Sequence, residues 1–340
     1  TPFDVWIKMM REVLQDPSSP ISLRNGQWSV KDRRNLWNVL GARLFDEDLD
    51  RLQECVLQVL RERDPQFDLS PDERYAASIH GKTLQFSRNI RAGVAETLAL
   101  LGNSAESLTN CSREKAKSVS FSIVHELLEH ADWVIWGSLN DHLPVLAESC
   151  PEAFLAAAEA ALQETPTPFH ELYSQERTAI FGRNYMTGLL WALETLAWDE
   201  EYLVRVSLIL AELAVHDPGG NWANRPSNSL HTILLPWFPQ TLAPVEKRIV
   251  AVSTIRKEFP EIAWRLLLGL LPSHHQSSFG SRKPEWRLTI SEDPKGKVTG
   301  EEYEKQILAY GEMAVQMACE DMPKLTTLLD DLENLPRTAF

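Results

Sequence analysis

The chain has little cysteine, no long apolar run and no catalytic signature, and each absence removes a class of protein. Its four cysteines, Cys55, Cys111, Cys150 and Cys319, stand far apart and form no C-x-x-C pair. A dense disulfide framework and the usual zinc spacings are therefore excluded, and this cysteine usage fits a reducing cytosol. No stretch reaches the about 18 apolar residues of a membrane span, because the nearest, 206–215, carries Glu212. The first sixteen residues form an amphipathic helical pattern of mixed charge and lack the apolar centre of a signal peptide. No G-x-S-x-G elbow, Walker-type phosphate loop or strand-borne G-x-G-x-x-G occurs. Gly219-Gly220 alone is too short to cradle a nucleotide, so neither a cofactor nor a catalytic residue is expected.

Basic residues are also in deficit. With 34 Lys and Arg against 48 Asp and Glu, the formal charge is −14. That surface repels phosphate backbones and argues against nucleic acid, despite the local basic pair Arg282-Lys283. The chain instead suits a protein partner of basic or mixed charge. A first residue other than Met, and an end just past a helix and a proline, suggest a segment of a longer protein.

What is present is helix. In 46–63, Leu49, Leu52, Val56, Leu57 and Leu60 recur on one helical face, with acids first and bases last, as the helix dipole prefers. Ser70-Pro71-Asp72-Glu73 and Thr299-Gly300-Glu301-Glu302 carry helix-start chemistry. Residues 200–215 are apolar nearly all round and need neighbours on most sides, whereas 244–258 turn Arg248 and other charges toward water. A soft repeat opens three helices on a proline preceded by an apolar or cysteine residue, at Pro151, Pro260 and Pro323, without a fixed period. The expected fold is all-α, an elongated and irregular helical-hairpin array of the HEAT or TPR kind. It divides as 1–170 and 171–340 or runs on as one continuous array. One stretch, 285–299, could form a small hairpin or an ordered loop. Of the eleven tryptophans, Trp191, Trp198 and Trp264 lie on apolar helix faces and read as core.

Two histidine groups invite metal chemistry. His125-Glu126-Leu127-Leu128-Glu129-His130 resembles a zincin helix, but its second histidine falls at i+5, roughly 140° around a helix from the first. Adjacent His274 and His275 point apart in most backbones and would need a third ligand. A metal-dependent hydrolase built on 125–130 is thus the alternative to a binding role, and a small-ligand pocket lined by tryptophans is a third reading.

Residue choice exceeds packing needs in the loop from His216 to Pro226. Asp217-Pro218 starts a turn, the glycines permit positive φ, and Asn221 and Asn224 can bond the backbone locally. Trp222 and Arg225 are either displayed as binding residues or folded back as a plug and a helix-end partner. Proline-spaced aromatics follow at Trp237 and around Arg282 and Trp286. Asp217, Asn221, Trp222, Asn224, Arg225, Trp237, Arg282 and Trp286 are the candidate partner-binding residues. The strings DPGGNWANRPSNSLHTILLPWFPQT (217–241), APVEKR (243–248), FPEIAWRLLLGLLPSHHQ (259–276) and KPEWR (283–287) resemble a segment of very large bacterial multidomain proteins. Some of those are similar to anti-phage signalling ATPases of the STAND type. The resemblance covers about residues 200–290 and implies a sensor or scaffold arm, with no effector or ATPase motif in this chain.

Overall fold

The computed structural model describes residues 2–175, 183–220, 222–273, 277–287, 290, 298–330 and 332–336. Among these the chain is helical almost throughout. The helices are α1 (Phe3–Val13), α2 (Arg33–Gly41), α3 (Asp46–Leu60), α4 (Arg88–Asn103), α5 (Lys115–Leu128), α6 (Trp133–Ser138), α7 (Leu143–Ser149) and α8 (Pro151–Gln163). They continue as α9 (Pro168–Ser174), α10 (Thr187–Ala197), α11 (Leu203–Val215), α12 (Pro226–Leu234), α13 (Val245–Glu258), α14 (Pro260–Leu270), α15 (Gly300–Cys319) and α16 (Met322–Asp330).

Two parallel rows emerge from the packing. One is α3, α5, α8, α11, α13 and α15, each against the next; the other is α4, α7, α10, α12 and α14, which ends against α15. Rungs such as α3–α4, α7–α8, α10–α11 and α13–α14 tie the rows together. Each pair buries its apolar face on its neighbours, so a continuous core runs along an elongated array. The pairs α7–α10 and α8–α11 cross position 170, so the packing continues through that position.

Glycines set the closest crossings. A Cβ on Gly102 of α4 would lie 2.0 Å from the Ser149 carbonyl oxygen, and one on Gly188 of α10 would lie 1.8 Å from that of Asn140. Only a bare backbone lets α4 and α10 approach the α7 segment from both sides. Prolines enter at the first turns of α7, α8, α9, α12 and α14, where their missing N–H costs nothing. The α15 start is a complete capping box of Thr299 and Glu302.

Central helix α11 touches α8, α10, α12, α13 and α14, as its all-round apolar pattern requires. Its Arg205 reaches back to Glu152 and Glu159 of α8 at 2.7 and 2.6 Å. Nearby, Trp136 is fully buried edge-on to Phe154 and Phe169.

Several local expectations change. The strand pair lies at β1 (Ile21–Arg24) and β2 (Gln27–Val30), antiparallel, with Asn25 and Gly26 at φ of 51° and 79° in the turn. That Asn-Gly between alternating residues is a strong hairpin signal. Most of 285–299 lies outside the described residues. Ser70–Glu73 opens only a short turn of 3₁₀ helix at Arg74–Ala76, because Arg74 is drawn inward and no apolar face follows. Arg248 is buried rather than turned to water, since α15 covers α13 and brings Glu302 and Tyr310 near it.

Candidate functional site

The loop after α11 is latched from within. Asp217 accepts from the Gly219 N–H at 2.8 Å and from Arg225 Nη1 at 2.9 Å, and Arg225 is only 6% exposed. A Cβ on Gly220, at φ 137°, would strike Arg225 Nη2 at 2.5 Å. The glycine is therefore what admits the guanidinium. Asn224 donates to Thr187 Oγ1 at 3.2 Å, and its carbonyl accepts from Asn184 Nδ2 at 3.0 Å, which anchors the loop to the start of α10. Trp222 is half-buried, with its ring N–H enclosed and lacking an acceptor among the described residues. Asn221 lies outside the described residues. Arg225 is thus a latch for the loop, and Asn224 is its anchor.

The segment 277–287 forms an irregular strap across the second row of helices. Arg282 donates its backbone N–H to Glu194 Oε2 of α10 at 3.1 Å, its carbonyl accepts from Trp198 Nε1 at 3.0 Å, and its guanidinium lies 5.2 Å from the Trp191 ring centre. Lys283 Nζ sits 5.4 Å from the Trp198 ring. Further along, the N–H groups of Glu285, Trp286 and Arg287 converge on the Glu148 carboxylate near the end of α7, the shortest bond being 2.7 Å from Trp286. Arg34 of α2 donates to the Glu285 carbonyl at 2.5 Å, and Arg287 pairs with Asp199 at 2.6 Å. Trp286 is buried beneath this network.

Burial pushes the Glu148 carboxyl above its ordinary range, against the pull of those three N–H groups. Burial likewise raises Glu194, against the Ser229 hydroxyl and the Arg282 N–H. Two enclosed carboxylates thereby hold the strap by its backbone N–H groups, and the three consecutive N–H groups that converge on Glu148 mark a bend in the chain at 285–287.

Loop and strap meet at a cleft of about 470 Å³ whose lining includes Trp191, Asn224, Asn228, His231, Phe279 and Arg282. Phe279 is fully exposed at its rim. Gly280 bends the strap at φ 82°, with Gln240 and Phe238 against it. Trp237 and Phe238 stack at 5.7 Å, and both are partly exposed. Compared with protein-family models, with curated proteins and with solved structures, the chain matches none. The candidate site therefore rests on this geometry alone.

Of the residues expected from sequence, the fold brings Asn224 and Arg282 to one cleft. It stacks Trp237 on Phe238, whose ring abuts the strap at Gly280, and buries Arg225 and Trp286. Sequence reasoning singled out the 279–287 segment that begins at Phe279 but missed Trp191, Glu148 and Glu194. Trp191 was assigned to the core and is 38% exposed, because Arg282 covers only part of its ring.

The histidine segment is divided: α5 ends at Leu128, and His130 follows in a left-handed conformation at φ 52°. His125 faces Glu129 at 3.1 Å and His130 faces Glu164 at 3.7 Å, so the imidazoles serve different carboxylates. Among the described residues no group of three or more His, Cys, Asp or Glu is placed to hold a metal ion, and no helix is long and apolar enough to cross a membrane. His274 and His275 lie outside the described residues. A separate cavity of about 780 Å³ near α1 and the hairpin has Trp6, Trp28 and Trp37 in its wall.

Proposed function

We propose that this chain is a non-catalytic helical scaffold or sensor region that binds a protein partner through the face built by the strap. The observation that carries this reading is the group of exposed aromatics around the cleft: Phe279, Trp191, Trp237 and Phe238, beside Arg282. Folding leaves large rings uncovered there, beside a concave site. Trp, Tyr and Arg are the residue types that dominate binding energy at protein interfaces. The partner inserts an apolar anchor into the cleft and meets the cationic rim, and the resemblance over 200–290 makes a bacterial defence protein the setting. In that setting the chain is the sensing arm and any chemistry belongs to an attached effector.

The test starts with affinity purification of the full chain and identification of what it retains. Binding of the purified partner is then measured to wild type and to Phe279→Ala with Trp237→Ala. We expect at least about a tenfold loss of affinity, with the melting temperature held within about 2 °C. A partner that binds the double variant as well as wild type overturns the assignment of this face, and a chain that retains none overturns the scaffold role.

A further inference from the structure

A second cavity, of about 420 Å³, opens between the 64–88 connection, the N-terminus of α4 and the start of α7, well within the size range of small-molecule sites. Its wall inverts the charge of the protein. Arg74, Lys82, Arg88, Arg91 and Arg183 line it beside Asp64 and Asp141, in a chain of net charge −14; Lys82 is paired with Asp68 at 2.8 Å and Arg183 with Asp141 at 2.5 Å, which leaves Arg74 and Arg88 without a carboxylate partner among the described residues. Such a concentration of cations in a concave, partly enclosed space focuses a positive field that selects anions.

The arginines are held for this by the fold. Arg91 is 1% exposed and is fixed by donating to the carbonyls of Val59 at 2.9 Å and Ser138 at 3.1 Å, with Glu62 at 3.6 Å. Arg74 is 8% exposed and its guanidinium is flanked by Phe67, Trp133 and Tyr185 at 5.0 to 5.9 Å. Its Nε donates to the Leu69 carbonyl and its Nη2 to Gln175 Oε1, while Nη1 is buried without an acceptor among the described residues. An enclosed guanidinium N–H without an acceptor is costly unless something supplies one. Ser87 caps α4 by accepting from the Ile90 N–H, and Arg88, the first residue of that helix, has no ionic partner among the described residues. The positive end of a sixteen-residue helix is thereby added to the same wall. His142, also in the lining, is held neutral near pH 7, and the hydroxyls of Ser78 and Thr83 supply further donors.

We propose that this cavity binds a small phosphorylated metabolite carrying at least two negative charges, its phosphate oxygens meeting the side chain of Arg88 at the start of α4 while the enclosed Arg74 turns its unpaired Nη1 toward them. The site stands apart from the strap and does not depend on the partner-binding reading. Isothermal titration of the full chain with inorganic pyrophosphate and with ADP, and with sulfate at matched ionic strength, tests it. We expect saturable binding of pyrophosphate or ADP with Kd below about 100 μM, at least about tenfold tighter than sulfate. Tighter binding of ADP assigns a nucleotide, and tighter binding of pyrophosphate assigns a smaller phosphate; both uphold the site. Arg88→Glu, on an exposed position, is expected to weaken binding at least about tenfold without changing the melting temperature of the unliganded chain, and Arg74→Lys to weaken it with the helical circular dichroism retained. Absence of saturable binding to both probes, affinity no better than for sulfate, or indifference to Arg88→Glu overturns the proposal.

Discussion

His142 shows how one residue reports its surroundings. Burial first, and then the charge of Arg91, push its imidazole down to about 4 from 6.5, with Asp141 opposing. Between those values the unfolded chain holds a proton that the folded side chain refuses, so stability present above pH 6.5 is lost as pH falls through the window. The loss amounts to about 3 kcal/mol across its full width. Urea midpoints measured at pH 7 and pH 5 should therefore fall more steeply in wild type than in His142→Gln; equal falls would show that the ring is solvated. Arg225 teaches the same lesson without titration. A residue type favoured at interfaces is here consumed by Asp217 and seated against Gly220, and only its partners reveal that role.

At the scale of elements, the strap is defined by what accepts its backbone. The strap crosses helices, whose own N–H and C=O groups are already paired, so its backbone N–H groups need acceptors from side chains. The carboxylates of Glu148 and Glu194 supply those acceptors. Glu148→Gln would replace one acceptor oxygen with a donor that faces N–H groups. Hydrogen exchange at the amides of 285–287 is then expected to quicken by about tenfold to a hundredfold, with little change at α3 and α5. Unchanged exchange at those amides would mean that the carboxylate does not hold the strap.

For the whole molecule, stability is a sum along the rows, so the two ends should respond differently to removal. Helix α1 buries none of its residues, whereas α15 buries Tyr310, Met313, Ala314, Met317 and Ala318 against α13 and α14. Deletion of residues 1–14 should leave the melting temperature within about 2 °C, and deletion of 299–340 should lower it by an amount on the order of 10 °C and promote self-association. Calorimetry with size-exclusion chromatography checks both. A chain as stable without α15 and α16 as with them would contradict the serial picture.

The helices were legible because their apolar residues recur at helical spacing, as in α3 and α11, and their starts because Thr299, Pro151 and Pro260 act within one turn of chain. The hairpin at 21–30 was also written locally, in Asn25-Gly26 between alternating residues, but its strands are four residues each and the expectation fell on 285–299 instead. These are interactions between near neighbours, and near neighbours are what a sequence displays. The site was less legible. Asn224, Trp237 and Arg282 could be named from their types, but Phe279 and Trp191 gained meaning only when loop, strap and α10 met at one cleft. Arg74 and Arg88, fourteen residues apart across an irregular connection, face one cavity with Arg183 only after α4 and α7 pack. Local chemistry thus determined that the chain is a helical array, while its functional surfaces were decided by tertiary structure. Burial, charge convergence and exposure belong to residues distant in sequence, and no single stretch carries them.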